Sequence, residues 1–425
     1  MKKQKMVLGS ILATTMFMAA CAPQGISEET AEIVSVESQQ AVEEETAAET
    51  TGEPVELTVG IVAAFDAVLA AHELACEGIS EAYPEISKIN LVNYASHDEF
   101  FSQLPTQIAA GTAPDIVKCD AFYTYEYAQK ELFVPVDESV MDLSDFDEEI
   151  VDLYRIDGTL YASPILAQPY CLVVNKDIFN ELGLEIPKYW DEFEDVCKVL
   201  KDNGYVPLGY ENTAEMLSAM ILSFGGSWNR GVDFASEANC EAVDFLIDMV
   251  KKEYFVLPQT LGFSTFTENF TSGNVAMALG GPWYNGVIQT GAPNMDYALM
   301  KFPTKSEETR GTVGNIDGYY LIRGTDVTLA SKALNWLSRY DFEKSFYDGV
   351  GAIVANREIR NSYFEKYTQA IDLQDAMPYV KDANLPEEAT KFMTTNVTEL
   401  GNALFDPETT LTAQEVFDNV EQQLN

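Results

Sequence analysis

The sequence DGTLYASPILAQPYCLVVNK, residues 157–176, decides how the chain divides. Pro164 and Pro169 lie five residues apart in it, and a proline lacks the backbone N–H of a helix and disfavours helical conformation in the residue before it. The apolar run CLVV follows directly after Tyr170. The stretch therefore predicts an extended crossover between two bodies, and we interpret it as a hinge with a small-molecule cleft beside it.

The length of the chain also favours more than one body. A chain of 425 residues exceeds the size at which a single hydrophobic core stops growing, so two or three domains are expected. Hydrophobic residues make up 47% of the sequence and aromatic residues 11%, which is enough for packed cores.

The N-terminus predicts a bacterial lipoprotein. Three lysines precede the apolar run VLGSILATTMFMAA, which has the charge, length and small-residue end of a signal peptide over residues 1–21. The run is short for a membrane span. Residues 18–21, Met-Ala-Ala-Cys, resemble a lipobox, so we expect a lipid on Cys21; the alternative is an ordinary secretory signal with a chance cysteine.

Residues 22–54 predict a disordered acidic tether. They contain nine glutamates and no lysine or arginine, and they are rich in Ser, Thr and Ala, so they cannot bury enough surface to fold. Subtracting the three lysines and nine glutamates of residues 1–54 from the totals of 26 and 68 leaves 23 basic and 59 acidic side chains. This balance argues against nucleic acid as a partner, because binding to phosphates needs clustered Lys and Arg.

The cysteines and histidines give no sign of catalysis or of a metal site. Five cysteines beyond Cys21 are scattered without the spacing of a disulfide framework or a zinc site. His72 and His97 are the two histidines in the sequence, and both fit structural roles in helices. We therefore expect no enzyme, no catalytic residues, no cofactor and no metal, although paired carboxylates in so acidic a chain leave a glycosidase open.

The order of elements predicts a parallel, doubly wound sheet. Three β-rich runs, 55–62, 88–94 and 116–119, alternate with helical patterns. In such sheets ligands bind beyond the carboxyl ends of the strands. Two of those ends carry Phe65-Asp66 and Asp120-Tyr123.

Six segments are informative together. They are IAAGTAPDIVKCD (108–120), IDGTLYASPI (156–165), VVNKDIFNELGLEIPKYWDEFEDVCKVL (173–200), GGSW (225–228), FTSGNVAMALGGPW (270–283) and TAQEVFDNVEQQLN (412–425). In this order they resemble the family 1 extracellular solute-binding proteins of ABC importers, a group that includes maltose-binding-protein-like sugar-binding lipoproteins. The resemblance runs from Val55 to Asn425.

The resemblance implies a fold and its boundaries. We expect an α/β, two-lobe periplasmic-binding-protein-like fold in which each lobe is a mostly parallel sheet flanked by helices and the lobes are joined by crossover hinge segments. The expected first lobe is 55–165 plus about 302–356. The expected second lobe is 166–301 plus about 357–425.

The candidate ligand contacts follow from what a neutral sugar needs. Planar aromatic rings cover its apolar C–H face, while carboxylates, amides and guanidinium groups bond its hydroxyls. Trp283 follows a Gly-Gly-Pro turn at a strand end, and Trp228 follows GGS. The full set of predicted ligand-binding residues is Phe65, Asp66, Asp120, Tyr123, Gln168, Trp228, Trp283, Asp317, Tyr319 and Arg357.

Each candidate has a structural alternative. Asp66 fits a helix N-cap, Asp317 fits a turn, and Arg357 fits a surface salt bridge. The tyrosines compete with core packing in a chain that contains 21 of them.

The sequence thus predicts the extracytoplasmic solute-binding component of an ABC importer, which captures a sugar or oligosaccharide and delivers it to the membrane permease. We expect a monomer, lipid-anchored at the outer face of the bacterial cell membrane. The alternatives are a binder of a cationic solute such as a polyamine and an extracellular glycan hydrolase.

Overall fold

The computed structural model describes residues 53–63, 66–263, 265–406 and 408–425. The predicted signal peptide, Cys21 and nearly all of the predicted tether lie outside these residues. None of the helices in the described ranges is both long and apolar enough to cross a membrane.

The described residues form fifteen strands and sixteen α-helices. The strands are β1 (Val55–Val62), β2 (Ile86–Tyr94), β3 (Ile116–Asp120), β4 (Phe133–Val134), β5 (Arg155–Ile156), β6 (Thr159–Leu160), β7 (Ala162–Pro164), β8 (Gln168–Pro169), β9 (Cys171–Asn175), β10 (Val206–Gly209), β11 (Phe255–Val256), β12 (Val275–Gly280), β13 (Tyr297–Lys301), β14 (Gly314–Asn315) and β15 (Asp317–Ile322). The helices are α1 (Asp66–Cys76), α2 (Ile79–Ala82), α3 (His97–Ala110), α4 (Thr124–Gln129), α5 (Glu148–Val151), α6 (Lys176–Leu182), α7 (Trp190–Asp202), α8 (Ala214–Ser223), α9 (Glu237–Lys251), α10 (Phe266–Phe270), α11 (Tyr284–Gly291), α12 (Val327–Leu337), α13 (Tyr340–Val350), α14 (Arg357–Lys366), α15 (Ala389–Leu404) and α16 (Ala413–Leu424).

Two mixed sheets form the centres of two lobes. The first sheet has the order β2-β1-β3-β15-β4, with β7 also paired to β15, and the second has the order β11-β10-β12-β9-β13. In the first sheet β1 is parallel to β2 and β3, whereas β15 is antiparallel to its neighbours. In the second, β10 is parallel to β11 and β12, whereas β9 is antiparallel to β12 and β13.

In each sheet all strands but one run in the same direction, in line with the expected α/β architecture; the exceptions are β15 and β9. β15 begins opposite the last residue of β3, since Asp317 pairs with Asp120. Likewise β9 begins opposite the end of β12, since Cys171 pairs with Gly280. Each of these strands enters its sheet directly from a crossing segment, so it runs away from the edge at which the other strands end.

Local signals in the sequence explain where many helices begin and end. The Ser96 hydroxyl accepts a hydrogen bond from the Glu99 amide at the start of α3, and Gly111 ends the same helix with φ 67°. Thr213 and Ser236 cap α8 and α9 in the same way. The apolar faces of these helices then pack on the sheets.

The chain crosses between the lobes in three segments that lie side by side. β8 pairs with β14, so Gln168 lies opposite Asn315. On the other side, the Ala167 amide donates to the Ile353 carbonyl (3.0 Å) and the Ala355 amide donates to the Ile165 carbonyl (2.8 Å). We call residues 165–169, 314–315 and 353–355 the hinge ribbon. Three hydrogen-bonded crossings resist sliding and twisting but allow the ribbon to bend.

Candidate ligand-binding cleft

A cleft of about 860 Å³ lies between the lobes, beside the hinge ribbon. Its volume falls in the range of ligand pockets, which are about 300–1,000 Å³. The first lobe and the ribbon contribute Ser102, Pro105, Cys119, Asp120, Tyr123, Glu126, Tyr127, Lys130, Leu132, Asn315 and Asp317. The second lobe contributes Tyr170, Glu215, Glu388, Thr390, Lys391, Thr394 and Thr395.

Two carboxylates mark the point where the first sheet meets the cleft. Asp120 and Asp317 are direct partners across β3 and β15, so their side chains lie on the same face. Asp317 forms a buried ion pair with Lys118, two residues before Asp120 on β3. Asp120 has no such cationic partner within the described residues.

Asp120 is held in place by neutral donors. One carboxylate oxygen, Oδ1, accepts from the Phe122 amide (2.8 Å), and Oδ2 accepts from the Ile316 amide and the Asn315 side chain, both at 3.2 Å. Burial raises the pKa of the Asp120 carboxyl well above its usual range, and the negative charges of Asp317 and Glu215 act in the same direction. The carboxylate is therefore well fixed but poorly compensated, which suits a group that bonds a ligand.

A chain of two amides connects Asp120 to the hinge ribbon. Asn315 donates from Nδ2 to Asp120 Oδ2 (3.2 Å), and its own Oδ1 accepts from Gln168 Nε2 (3.0 Å). Gln168 is 5% exposed, and its Oε1 has no hydrogen-bond partner among the described residues. The cleft and the hinge are thus linked by directional hydrogen bonds.

Two aromatic rings line the site, and a third packs against one of them without lining the cleft itself. Tyr123 and Tyr170 line the cleft from the two lobes, and the Trp283 ring meets Tyr170 edge-on with centroids 5.5 Å apart. Trp283 is half-buried, and it folds back over Gly281, where a Cβ would overlap its ring. A Gly at position 281 is thus required by the position of this indole.

Glu215 faces these aromatic rings at the start of α8. Its carboxylate accepts a long hydrogen bond from the Tyr123 hydroxyl (3.4 Å) across the two lobes. Burial raises the pKa of Tyr170, and the nearby charges of Glu215 and Asp120 raise it further. The carboxylates of Glu215 and Asp120 therefore both lie close enough to the Tyr170 hydroxyl to affect its pKa.

A second crevice of about 520 Å³ lies on the opposite face of β14. Side chains alternate along a strand, so Asn315 lines the main cleft, whereas Gly314 and Ile316 line this crevice. The hinge ribbon therefore separates two spaces between the lobes.

Several predicted residues come together in the cleft. Asp120, Tyr123 and Asp317 line it, Gln168 is joined to it through Asn315, and Trp283 contacts Tyr170. Their contact with a ligand stays a prediction.

Asp66 and Phe65 are not among the lining residues. Asp66 is exposed at the start of α1 and does not line the cleft, while Phe65 lies outside the described residues.

Three further predicted positions lie away from the lining of the cleft. Trp228 is 0% exposed in the core of the second lobe, where its indole N–H donates to Ser218 and its ring meets Phe392 edge-on. Tyr319 is equally buried beside His72 in the first lobe. A fully buried ring offers a ligand no surface in this conformation.

Arg357 is the third of these positions. Its guanidinium is exposed and forms an ion pair with Asp147, and it also donates to the Phe146 carbonyl (2.6 Å). A surface salt bridge is the alternative role that the sequence analysis gave for Arg357. Arg357 does not line the cleft.

Sequence reasoning missed several cleft residues. Lys118 had a usable signal, because a lysine inside the apolar strand IVKC must find a buried partner. No signal in the sequence indicated Tyr170, Glu215 or Asn315, because their positions in the cleft depend on contacts between the lobes. No group of three or more His, Cys, Asp or Glu side chains suited to a metal ion occurs in the part of the chain that the structure describes.

Comparison with solved structures confirms the two-lobe periplasmic-binding-protein fold. An ABC substrate-binding protein from Listeria monocytogenes, solved in complex with cycloalternan, matches with a TM-score of 0.72 at 21% identity, over 88% of this chain and 98% of that one. Similar in fold is a cyclo/maltodextrin-binding protein complexed with maltotetraose (TM-score 0.69, 18% identity, 89% and 99% coverage).

Sequence relatives lead to the same family. A lactose-binding protein from Rhizobium radiobacter is 23% identical over 308 residues, covering 67% of this chain and 72% of that protein. The sequence pattern of the family described as bacterial extracellular solute-binding protein matches residues 67–339, well over half of the chain. The chain therefore belongs to the family of bacterial extracellular solute-binding proteins.

Proposed function

We propose that this protein is the extracytoplasmic solute-binding component of an ABC importer and that it captures a neutral sugar or short oligosaccharide in the cleft between its lobes. The observation that carries the proposal is that Tyr123 and Tyr170, the latter packed against Trp283, line the cleft together with Asp120 and Glu215, two carboxylates that form no ion pair with a described residue. Rings cover the apolar face of a sugar and carboxylates accept from its hydroxyls. The cycloalternan and maltotetraose complexes of its structural relatives support this class of ligand.

The size of the cleft favours more than a single ring. At about 860 Å³ it lies near the upper end of the range for small-molecule pockets. An oligosaccharide fills such a space, whereas a monosaccharide leaves much of it to water.

The charges in the cleft disfavour an acidic sugar. The lining carries five carboxylates, Asp120, Glu126, Glu215, Asp317 and Glu388, against two lysines, Lys130 and Lys391. Lys130 is paired with Glu126 and Glu388, whereas Lys391 donates to the Leu424 carbonyl (3.3 Å) and keeps its charge. The balance of charge in the cleft is therefore negative, so a uronic or phosphorylated sugar meets repulsion.

Capture follows from the division of the site between the lobes. Asp120 and Tyr123 belong to the first lobe, and Tyr170, Glu215 and Trp283 to the second. A ligand that contacts both sets favours the closed form, because only that form makes all of the contacts. The closed form then docks on the permease, with acidic surfaces of both lobes as the contact.

The location belongs to the same proposal. Residues 1–21 direct export, Cys21 carries a lipid, and residues 22–54 hold the monomeric binding domain away from the membrane. The lobe boundaries near 165, 302 and 356 are part of the proposal as well.

Titration calorimetry with a series of neutral oligosaccharides tests the function. We expect binding that changes little between low and high salt, and recovery of the glycan intact after incubation, since a binding protein does not cleave its ligand. Cleavage products would instead assign the protein to the hydrolases.

A cationic solute is the second candidate. It is favoured by the same observation, because the carboxylates of Asp120 and Glu215 beside the rings of Tyr123 and Tyr170 also suit an ammonium group. Salt separates the two candidates: affinity for a polyamine falls as ionic strength rises, whereas affinity for a neutral sugar stays nearly constant.

A further inference from the structure

Helix α4 belongs to the first lobe but makes polar contacts with the second. Tyr127 of this helix packs against Phe133 in the first lobe. On its other side, the guanidinium of Arg230 lies 3.7 Å above the Tyr125 ring, and Lys130, just after the helix, donates to Glu388 (3.1 Å). The contacts concentrate on one short element, so α4 is where the lobes are held together.

The strongest of these contacts involves Glu126. This residue is 3% exposed, and its Oε2 accepts from both the amide (2.8 Å) and the hydroxyl (2.7 Å) of Thr390 in the second lobe. Its other oxygen accepts from Lys130 Nζ (2.7 Å). A buried carboxylate is tolerated only with such partners, and two of the three donors disappear if the lobes separate.

Helix α15 explains why the second lobe supplies those donors. The residue at its N-cap, Glu388, makes no capping hydrogen bond with its side chain, unlike Thr213 of α8 and Ser236 of α9, which cap their own helices. The first amides of a helix need acceptors, and a negative charge there is favourable. Glu126 meets both needs for α15 from the opposite lobe.

We propose that Glu126 is a closure residue: its carboxylate supplies the missing cap of α15 only while the lobes are together, and it thereby slows release of the ligand. Glu126 lines the cleft, but its two oxygens are engaged by Lys130 and Thr390 and leave the ligand to Asp120 and Glu215. It is a positioning residue and not a ligand contact. The part of this inference that concerns release rests on the proposed function; the part that concerns closure does not.

The variants Glu126→Ala, Glu126→Gln and Thr390→Ala test the inference. Glu126→Ala removes the cap and is expected to raise the ligand dissociation rate about tenfold, which corresponds to about 1.4 kcal/mol, at an unchanged association rate. Glu126→Gln keeps one acceptor oxygen and should lie between Ala and the wild type. Thr390→Ala removes only the hydroxyl, so a smaller change in the same direction is expected.

Two measurements compare these variants with the wild type, and Glu131→Gln serves as the matched control. Stopped-flow kinetics with a bound oligosaccharide gives the two rates, and small-angle X-ray scattering of the ligand-free protein gives the radius of gyration, which should increase in Glu126→Ala. The control removes an exposed carboxylate just beyond α4 that pairs with Arg323 of the same lobe, and it should change neither quantity.

The outcomes separate this inference from the proposed function. A dissociation rate and a radius of gyration equal to those of the wild type in Glu126→Ala would overturn it. A change confined to the association rate would also overturn it, because a contact that holds the closed form acts on release. A larger radius without ligand supports the closure role even if no sugar binds, in which case it is the proposed function that fails.

Discussion

Asp120 and Asp317 occupy directly opposed positions on β3 and β15, yet their partners differ: Asp317 is paired with Lys118, and Asp120 is held by three neutral donors. The two aspartates therefore have different roles. The Lys118–Asp317 ion pair stabilises the sheet edge, and Asp120 is left to bond the ligand.

Replacing Asp120 should weaken binding of the ligand. Asp120→Asn keeps the size of the side chain but loses the charged acceptor, so we expect affinity to fall roughly 10- to 100-fold, the range for a hydrogen bond to a charged group. Titration calorimetry with the bound sugar measures the loss.

The pH dependence of the free energy of unfolding gives a second test of Asp120. The folded-state pKa of Asp120 is raised, so its contribution to stability is present at low pH and is lost as pH rises through that pKa. Asp120→Asn removes this pH-dependent loss but replaces one acceptor oxygen with an NH2 group that faces the donors around Asp120. In urea unfolding, the stability deficit of the variant relative to the wild type should therefore shrink between pH 5 and pH 8. A deficit that stays constant or grows over this range would contradict the raised pKa.

The Lys118–Asp317 ion pair predicts a different pattern. Removing one partner leaves a buried charge, so Lys118→Met and Asp317→Asn should each lower the free energy of unfolding by about 3–5 kcal/mol. The double variant leaves no charge and should recover much of that loss. Urea unfolding of the four proteins gives the coupling energy; additive single effects would refute the pairing.

The contact between Trp283 and Tyr170 predicts a loss of affinity without a loss of fold. Trp283→Ala removes the ring that packs on the cleft-lining Tyr170, and at least a tenfold weaker affinity is expected because Tyr170 loses its support. Tyr340→Ala is the control, because Tyr340 is an exposed aromatic residue on α13 that neither lines the cleft nor belongs to this aromatic pair. Equal affinities of Trp283→Ala and the wild type would place the ligand elsewhere.

His72 predicts a stability change in acid. Burial lowers its pKa from 6.5 to about 4, and the positive charge of Lys118 acts in the same direction. Stability linked to the neutral imidazole is complete above pH 6.5 and is lost as pH falls towards 4; at pH 5 the loss is about 2 kcal/mol.

The variant His72→Gln isolates that effect from the carboxylates that titrate over the same range. Its unfolding free energy should fall less than that of the wild type between pH 7.5 and pH 5. Parallel pH profiles of the two proteins would contradict the assignment.

The fold was largely predictable because its signals are local and repeated. The alternation of strands and helices, together with six ordered segments, indicated two α/β lobes, and the first predicted strand, 55–62, matches β1. The antiparallel directions of β9 and β15 were not predictable from periodicity. They arise because the chain returns to a sheet across the hinge ribbon, which is a long-range property.

Trp228 and Trp283 show where local reasoning about the site ends. Both follow a Gly-Gly-X turn, GGSW and GGPW, but Trp228 is covered by Phe392 of α15 and Phe417 of α16. Trp283 remains half-buried beside Tyr170. What distinguishes them is packing by helices more than 100 residues away. The link between Glu126 and Thr390 is equally distant and had no signal in the sequence.

A thermal-shift screen of the wild type, Trp283→Ala and Tyr340→Ala against neutral oligosaccharides, uronic acids and polyamines tests the central claim most directly. A ligand at 100 times its Kd stabilises the folded protein by about 2.7 kcal/mol. We predict that a neutral oligosaccharide raises the Tm of the wild type and of Tyr340→Ala equally, and that it raises the Tm of Trp283→Ala by about half as much or less at the same concentration, because a tenfold weaker affinity reduces the stabilisation to about 1.4 kcal/mol. A shift produced only by polyamines, or the same oligosaccharide shift in all three proteins, would contradict a neutral-sugar site in this cleft.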